Sequence, residues 1–390
     1  MIYLDNAATT RVYDEVVDAM QPYFTCLYGN PSEIYDFATK SRRGMNYSRK
    51  IIADSIHADV TEIYFTSGGT ESDNLALLGI AEAYSNKGKH IITTCIEHHA
   101  VINACKHLEK HGFEVTYLKV DNSGRINIKE LERAFRSDTI LVSVMFANNE
   151  IGTIQDIQAI STVTHRHGAL FHTDGVQAFC QIPINVKNMG IDLLSASAHK
   201  CHGPKGIGFL YVKKGIKLSP FHFGGKQERY IRPGTENIPA IVGFGEAVRI
   251  ASQKKNYNYD HISFLRNHFE DRVRKEMKYV VINGNKHNRL PGNLNMSFAF
   301  LDGEAIQIQL DINGICCSTG SACNAGGKSL SHVIKAIGVP DDYAYGTVRF
   351  TFSDDNTIEE IDKAVDILKN VIDKLLNMST EYNRFINKTN

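Results

Sequence analysis

The sequence predicts an α/β fold: a large domain on a mostly parallel, seven-stranded sheet flanked by helices, followed by a smaller α+β domain. Three observations carry that prediction. Seven short apolar runs, rich in β-branched residues, alternate with helix-length segments as far as Val212. The runs are largely apolar throughout, as strands covered on both faces are. After Asn258 the alternation gives way to short strands set between longer helical stretches.

In chain order, the strand runs are Glu62 to Thr66, His90 to Thr94, Glu114 to Leu118, Thr139 to Phe146, Leu170 to Thr173, Asp192 to Ala196 and Gly208 to Val212. Helical patterns fill Glu71 to Asn86, Ala100 to His111, Ile128 to Arg136 and Ile157 to His167. A long helix is expected from Pro239 to Lys254. Beyond it, Val280 to Ile282, Asn293 to Phe298 and Gly346 to Phe352 read as strands. His261 to Glu276, Glu304 to Asn313 and Thr357 to Asn377 read as helices. The chain then divides into an N-terminal segment (1–15) packing with the small domain, a large domain (16–258), a small domain (259–378) and a polar, frayed tail (379–390).

Composition narrows the function classes. Lys+Arg and Asp+Glu both number 43, so no net field favours nucleic acid or an anionic membrane. The N-terminus has no secretory pattern, and the longest apolar run, near Ile140 to Ala147, is too short to span a bilayer. A cytoplasmic protein is expected, with its eight cysteines as thiols.

The residues that carry chemistry lie at strand ends. Lys200 follows the apolar run Ile191 to Leu194 and precedes the turn Gly203-Pro204-Lys205-Gly206. A lysine placed there, with a lowered pKa, can form a Schiff base, and the cofactor that uses one is pyridoxal phosphate. Alone, Lys200 reads as a surface lysine; the remaining motifs decide the matter. Thr66-Ser67-Gly68-Gly69-Thr70-Glu71 leaves a strand and opens a helix, which suits a phosphate as well as it suits a capping turn. Asp174 ends an apolar strand, where ligands of open α/β sheets bind, and Gln177 follows it. A carboxylate there can keep a pyridine nitrogen protonated; the plainer role is a helix N-cap. His98 and Asn149 also follow strands, and a histidine at such a place can stack on a planar ring or exchange protons. Cys323 sits among small residues and glycines, reading as an accessible thiol, whereas Cys316 and Cys317 suit a core. Neither the His98-His99 pair nor the Cys316-Cys317…Cys323 spacing suits a metal ion, so no metal is expected. A loosened P-loop pattern at 322–329 comes too late in the chain for a nucleotide fold.

Taken together, Asp5-Asn-Ala-Ala-Thr-Thr, Gly29-Asn-Pro-Ser, Thr66-Ser-Gly-Gly-Thr-Glu-Ser, Asn148-Asn-Glu-Ile-Gly, Ala198-His-Lys-Cys-His-Gly-Pro-Lys-Gly, Gln227-Glu-Arg, Arg232-Pro-Gly-Thr-Glu-Asn-Ile-Pro and Gly320-Ser-Ala-Cys appear in order. From about residue 2 to about residue 375 the chain resembles the cysteine desulfurases of the NifS/IscS group, class-V aminotransferases of the fold-type I pyridoxal-phosphate enzymes. The resemblance implies Lys200 as the Schiff-base lysine, His98 stacked on the ring and moving protons, Asp174 at the pyridine nitrogen and Gln177 at the ring oxygen. Gly69, Thr70, Ser197 and His199 would hold the phosphate, with Thr235 reaching it from the partner subunit of a homodimer. Asn149, also beside the cofactor, and Arg349 would hold the carboxylate of L-cysteine. Cys323 would accept the sulfur as a persulfide and pass it to an acceptor protein for iron–sulfur cluster or thiocofactor synthesis. A selenocysteine lyase and a weakly catalytic sulfur-relay or scaffold protein are the alternatives. Three departures bear on the acceptor and the dimer-facing loop: Tyr35 where the family often has histidine, Asn324 to Leu330 after the cysteine, and Lys226 where glycine is common.

Overall fold

The computed structural model describes residues 1–319 and 330–389, leaving the side chains of 255–257 and 388–389 outside that description. Strand β1 (Ile2–Tyr3) is followed by helices α1 (Asp14–Met20), α2 (Pro22–Thr25) and α3 (Asp36–Ser55). The central sheet then alternates with helices: β2 (Ile63–Thr66), α4 (Gly69–Ala83), β3 (His90–Thr94), α5 (His99–Lys110), β4 (Glu114–Leu118), α6 (Ile128–Ala134), β5 (Thr139–Ser143), α7 (Ile157–Arg166), β6 (Leu170–Asp174), β7 (Leu193–Ser197) and β8 (Gly208–Val212). Its order is β2-β8-β7-β6-β5-β3-β4. Only β8 runs against its neighbours, β2 and β7; the other pairings are parallel. Strands β3, β5, β7 and β8 are buried at all five positions, which explains their unbroken apolar character. His90 is tolerated in β3 because its ring meets Thr139 Oγ1 at 2.7 Å and Thr116 Oγ1 at 2.9 Å.

The chain continues with α8 (Ile238–Glu276), β9 (Val280–Asn283), β10 (Asn293–Phe298), α9 (Gly303–Ile312), β11 (Ile315–Cys316), α10 (His332–Ala336), α11 (Asp341–Ala344), β12 (Thr347–Thr351), α12 (Ile358–Met378) and α13 (Thr380–Thr389). An antiparallel sheet, β12-β10-β9, forms the second layer. The N-terminal segment is stitched to it. β1 pairs parallel with β11, Thr351 donates its N–H to Leu4 O at 2.7 Å, and Leu4 is fully buried.

Three differences from the sequence reading have clear causes. Helix α3 escaped it because its buried stripe mixes Ala38, Ser41, Ser48 and Arg49 with Met45 and Ile52, which blurs the apolar period. The helices expected at 239–254 and 261–276 are one 39-residue helix, α8. The boundary expected at 258/259 falls inside it: Ile241, Phe244 and Val248 enter the core of the central sheet, and Leu265, Phe269 and Val273 that of the small sheet. The tail expected to fray is α13, whose Tyr382 and Phe385 rings meet Tyr279 and Phe300. Among the described residues no helix is long and apolar enough to cross a membrane.

Candidate active site

A cleft of about 420 Å³ opens beyond the C-terminal ends of β5, β6 and β7. Its walls bring together Gly69, Thr70, His98, Asn149, Asp174, Gln177, Ser197, His199, Lys200 and Arg349, contributed by segments far apart in sequence. Thr235 does not line this cleft. Cys323 lies outside the described residues, as do the departures at 324–329.

At one end, α4 begins at Gly69, and Gly69 and Thr70 of its first turn line the cleft together with Ser197 and His199. Gly68 has φ +154°, and a Cβ on Gly69 would stand 2.5 Å from Val176 Cγ2, so the backbone approaches closely only without side chains. Thr66 Oγ1 and Ser72 Oγ, 2.7 Å apart, brace the turn, and Glu71 caps it by accepting from Ser67 N at 2.7 Å. Burial and Lys200 hold His199 down to about 4, so its imidazole is neutral and donates or accepts without adding charge.

In the floor, Asp174 Oδ1 accepts from Val176 N at 2.9 Å. Burial raises the Asp174 pKa against the opposing pull of His98 and Lys200. His98 caps α5, its Nδ1 accepting from Ala100 N at 3.2 Å, which leaves the ring proton on Nε2. Burial lowers its pKa, so the ring is a neutral, flat face. Lys200 Nζ donates to Ala7 O at 2.5 Å and Ala8 O at 2.7 Å. Gln177 Nε2 also donates to Ala7 O, at 3.1 Å. The N-terminal segment therefore closes one side of the cleft.

At the opposite end Arg349 Nη1 donates to Asn149 O at 2.9 Å and Nη2 to Asp5 Oδ1 at 2.8 Å. Its Nε–H is buried and has no partner among the described residues, which suits a carboxylate ligand. Sequence reasoning assigned no role to Asp5, Ala7, Ala8, Asp73 or Glu150, all at or beside this cleft. The Asp5-Asn-Ala-Ala run was visible as a motif; its closing role needs the fold.

Such a cleft accommodates a flat ring bearing a phosphate at one end, a basic nitrogen toward Asp174 and an aldehyde that a lysine can capture. The fold and the site are those of a pyridoxal-phosphate enzyme, and the cofactor fits the groups present. The comparisons make this specific. The family model for class-V aminotransferases matches residues 2–364. The chain is 47% identical over 378 residues to the cysteine desulfurase IscS of Dictyoglomus turgidum, covering 97% of this chain and 96% of that one. It superposes on a solved NifS-like protein with a TM-score of 0.91 at 36% identity, covering 96% of this chain and 100% of the other. A second solved structure, SspA in complex with cysteine, gives 0.81 at 37% identity over 90% of this chain and 99% of its own. The chain belongs to the class-V aminotransferase family, within its cysteine desulfurase group.

Proposed function

We propose that the chain removes sulfur from L-cysteine, leaving L-alanine, with the cleft residues dividing the work as follows. Pyridoxal phosphate, when bound, supplies an electron sink that makes the substrate's β-carbon–sulfur bond labile. Lys200 holds the cofactor and, once displaced, moves protons at its Nζ. Asp174 holds a proton on the ring nitrogen. His98 covers the ring and exchanges protons at Nε2. Gln177 meets the ring oxygen. Gly69, Thr70, Ser197 and His199 take the phosphate, with Thr235 of the partner subunit completing its shell. Asn149 and Arg349 orient the substrate carboxylate.

Cys323 is the nucleophile in this reading. Its thiolate attacks the substrate sulfur, an S–S bond forms as the C–S bond breaks, and the β-carbon gains a proton, so that cysteine and thiol become alanine and persulfide. The persulfide sulfur then goes to an acceptor protein in the cytoplasm. Exposed rings on α2 and the loop after it (Phe24, Tyr28, Tyr35) and in the segment after β8 (Phe223, Tyr230) support a homodimer interface.

The observation that carries the reading is the convergence of Lys200, Asp174, His98 and the α4 N-terminus on one cleft. The test is peptide mass spectrometry after incubation with cysteine and alkylation. One extra sulfur should appear on Cys323, and Cys323→Ser should bind cysteine yet release almost no sulfide. Extra sulfur on Cys201, Cys316 or Cys317, with full turnover in Cys323→Ser, would remove the nucleophile assignment.

A further inference from the structure

Asp73 is a buried group that the proposed reaction leaves without a role. It lies on α4, four residues beyond Gly69, is 1% exposed and lines the cleft. Its Oδ1 has no hydrogen-bond partner among the described residues. One oxygen of Asp73, one oxygen of Asp174 and a ring nitrogen of His98 all lie within 4.8 Å of one another. The nearest cationic candidate is His172, whose Nε2 stands 3.7 Å away, beyond hydrogen bonding. That ring is already engaged, with Nδ1 at 2.8 Å from Ser143 Oγ and Nε2 at 3.0 Å from Ser195 Oγ.

We propose that Asp73 is a positioning residue for Asp174: a carboxylic acid that keeps its own proton, shares it with an Asp174 oxygen, and leaves Asp174 as the one charged carboxylate facing the ring nitrogen. The inference rests on the role given to Asp174 above. Two carboxylates this close in a dry floor do not both ionise, and the charge stays where the surroundings favour it. Asp174 accepts a backbone N–H, and the charge of Lys200 favours its anion. Asp73 faces Asp174, Glu97, His98 and His172. Burial raises its pKa well above the carboxylate range, and the charge of Asp174 raises it further, against a smaller opposing pull from the Ser195 hydroxyl. His172 brings no compensating charge, because burial holds it down to about 3. An ionised Asp73 would set a second anion beside Asp174 with its Oδ1 unpartnered, whereas the neutral acid has an O–H to donate.

The test compares wild type with Asp73→Asn and Asp73→Leu. Asparagine is a neutral donor of similar shape; leucine donates nothing. Infrared difference spectra of the cofactor-stripped protein at neutral pH should show a protonated-carboxyl band that Asp73→Asn removes, distinct from any band removed by Glu97→Gln. Titration with pyridoxal phosphate should give Asp73→Asn an affinity within about threefold of wild type and weaken Asp73→Leu by about tenfold or more. Equal weakening of both variants would mean that the anion is required, and the proposal fails. It fails also if Asp73→Asn removes no protonated-carboxyl band, or if Asp73→Leu binds as wild type does. Should Asp73→Leu not fold, the band and the Asp73→Asn affinity decide. Wild-type protein that binds no pyridoxal phosphate would sink the cofactor reading instead, while the band would still locate the proton.

Discussion

Lys200 and Asp174 make different demands on the same cleft. Lys200 is held by two backbone carbonyls, so its removal should leave the fold intact. Lys200→Ala should retain the far-ultraviolet spectrum, fail to fix the cofactor under borohydride, and lose about 10²- to 10⁴-fold or more in turnover. Asp174→Asn should keep its melting temperature close to wild type while losing most activity, because an amide cannot hold the ring nitrogen protonated. Comparable losses of stability and activity would favour a capping role, through the Val176 N–H. Glu97 gives a pH signature. Burial pushes its carboxyl from 4.5 up to about 8, while Met145 N–H and Thr94 Oγ–H partly oppose the shift. Between those values the folded state keeps a proton that the unfolded chain has lost. Its contribution is therefore full below pH 4.5 and is lost as pH rises toward 8. Thermal melts across that window should show a shallower decline for Glu97→Gln than for wild type. Some slope should remain, because Glu150 is pushed up to about 7 by burial.

The 227–230 turn shows an element held in place from outside itself. Glu228, Arg229 and Tyr230 have φ of 42°, 56° and 67°, a run of left-handed residues without glycine. Glu228 accepts from Arg49 Nη1 at 2.7 Å, Arg49 Nη2 at 2.6 Å and Phe65 N at 2.9 Å, all buried. Arg229 donates to Ile63 O at 2.6 Å and lies 3.9 Å from the Tyr64 ring centre. The turn thereby docks on α3 and β2, and it leads into the segment carrying Thr235. Glu228→Ala should cost about 3–5 kcal/mol in urea unfolding, since Arg49 would remain buried without its partner. The Arg49→Ala/Glu228→Ala double variant should cost clearly less than the two single losses added together. Additive losses would show that the two side chains act independently.

Across the whole molecule, α8 and the N-terminal segment bind the two layers together. One helix serves both cores, and Asp5 reaches Arg349 while Ala7 and Ala8 reach Lys200. The cleft therefore depends on both layers at once. In the proposed homodimer the exposed Phe223 precedes the anchored turn, which fits an interface position. Sedimentation should give twice the chain mass for wild type. Phe223→Asp should shift the chain toward monomer and weaken pyridoxal phosphate, because Thr235 of the partner subunit would be lost from the phosphate shell. A monomeric wild type with full cofactor affinity would contradict that arrangement.

Much of this was legible in the primary structure, for physical reasons. Strands buried on both faces must be apolar along their length, so the inner strands of the central sheet stood out. The edge strand β4, half-buried, showed through its β-branched residues, and the run expected from Thr139 to Phe146 ends as a strand at Ser143. Strand-end positions of Lys200, Asp174, His98 and Asn149 followed from those bounds, and the Gly68-Gly69 turn announced itself through its lack of side chains. Helix α3 stayed hidden because serines and an arginine occupy its buried face, Ser41 and Arg49 satisfied by Leu27 O and Glu228 outside the helix and Ser48 by Gly44 O within it. The unity of α8 and the order of α13 were likewise decided by what each packs against. The same holds for the closing carbonyls of Ala7 and Ala8 and the unpartnered oxygen of Asp73. Local sequence sets which residues prefer a strand or a turn; only the folded chain brings groups from opposite ends close enough to exchange protons, because that proximity exists in no local stretch.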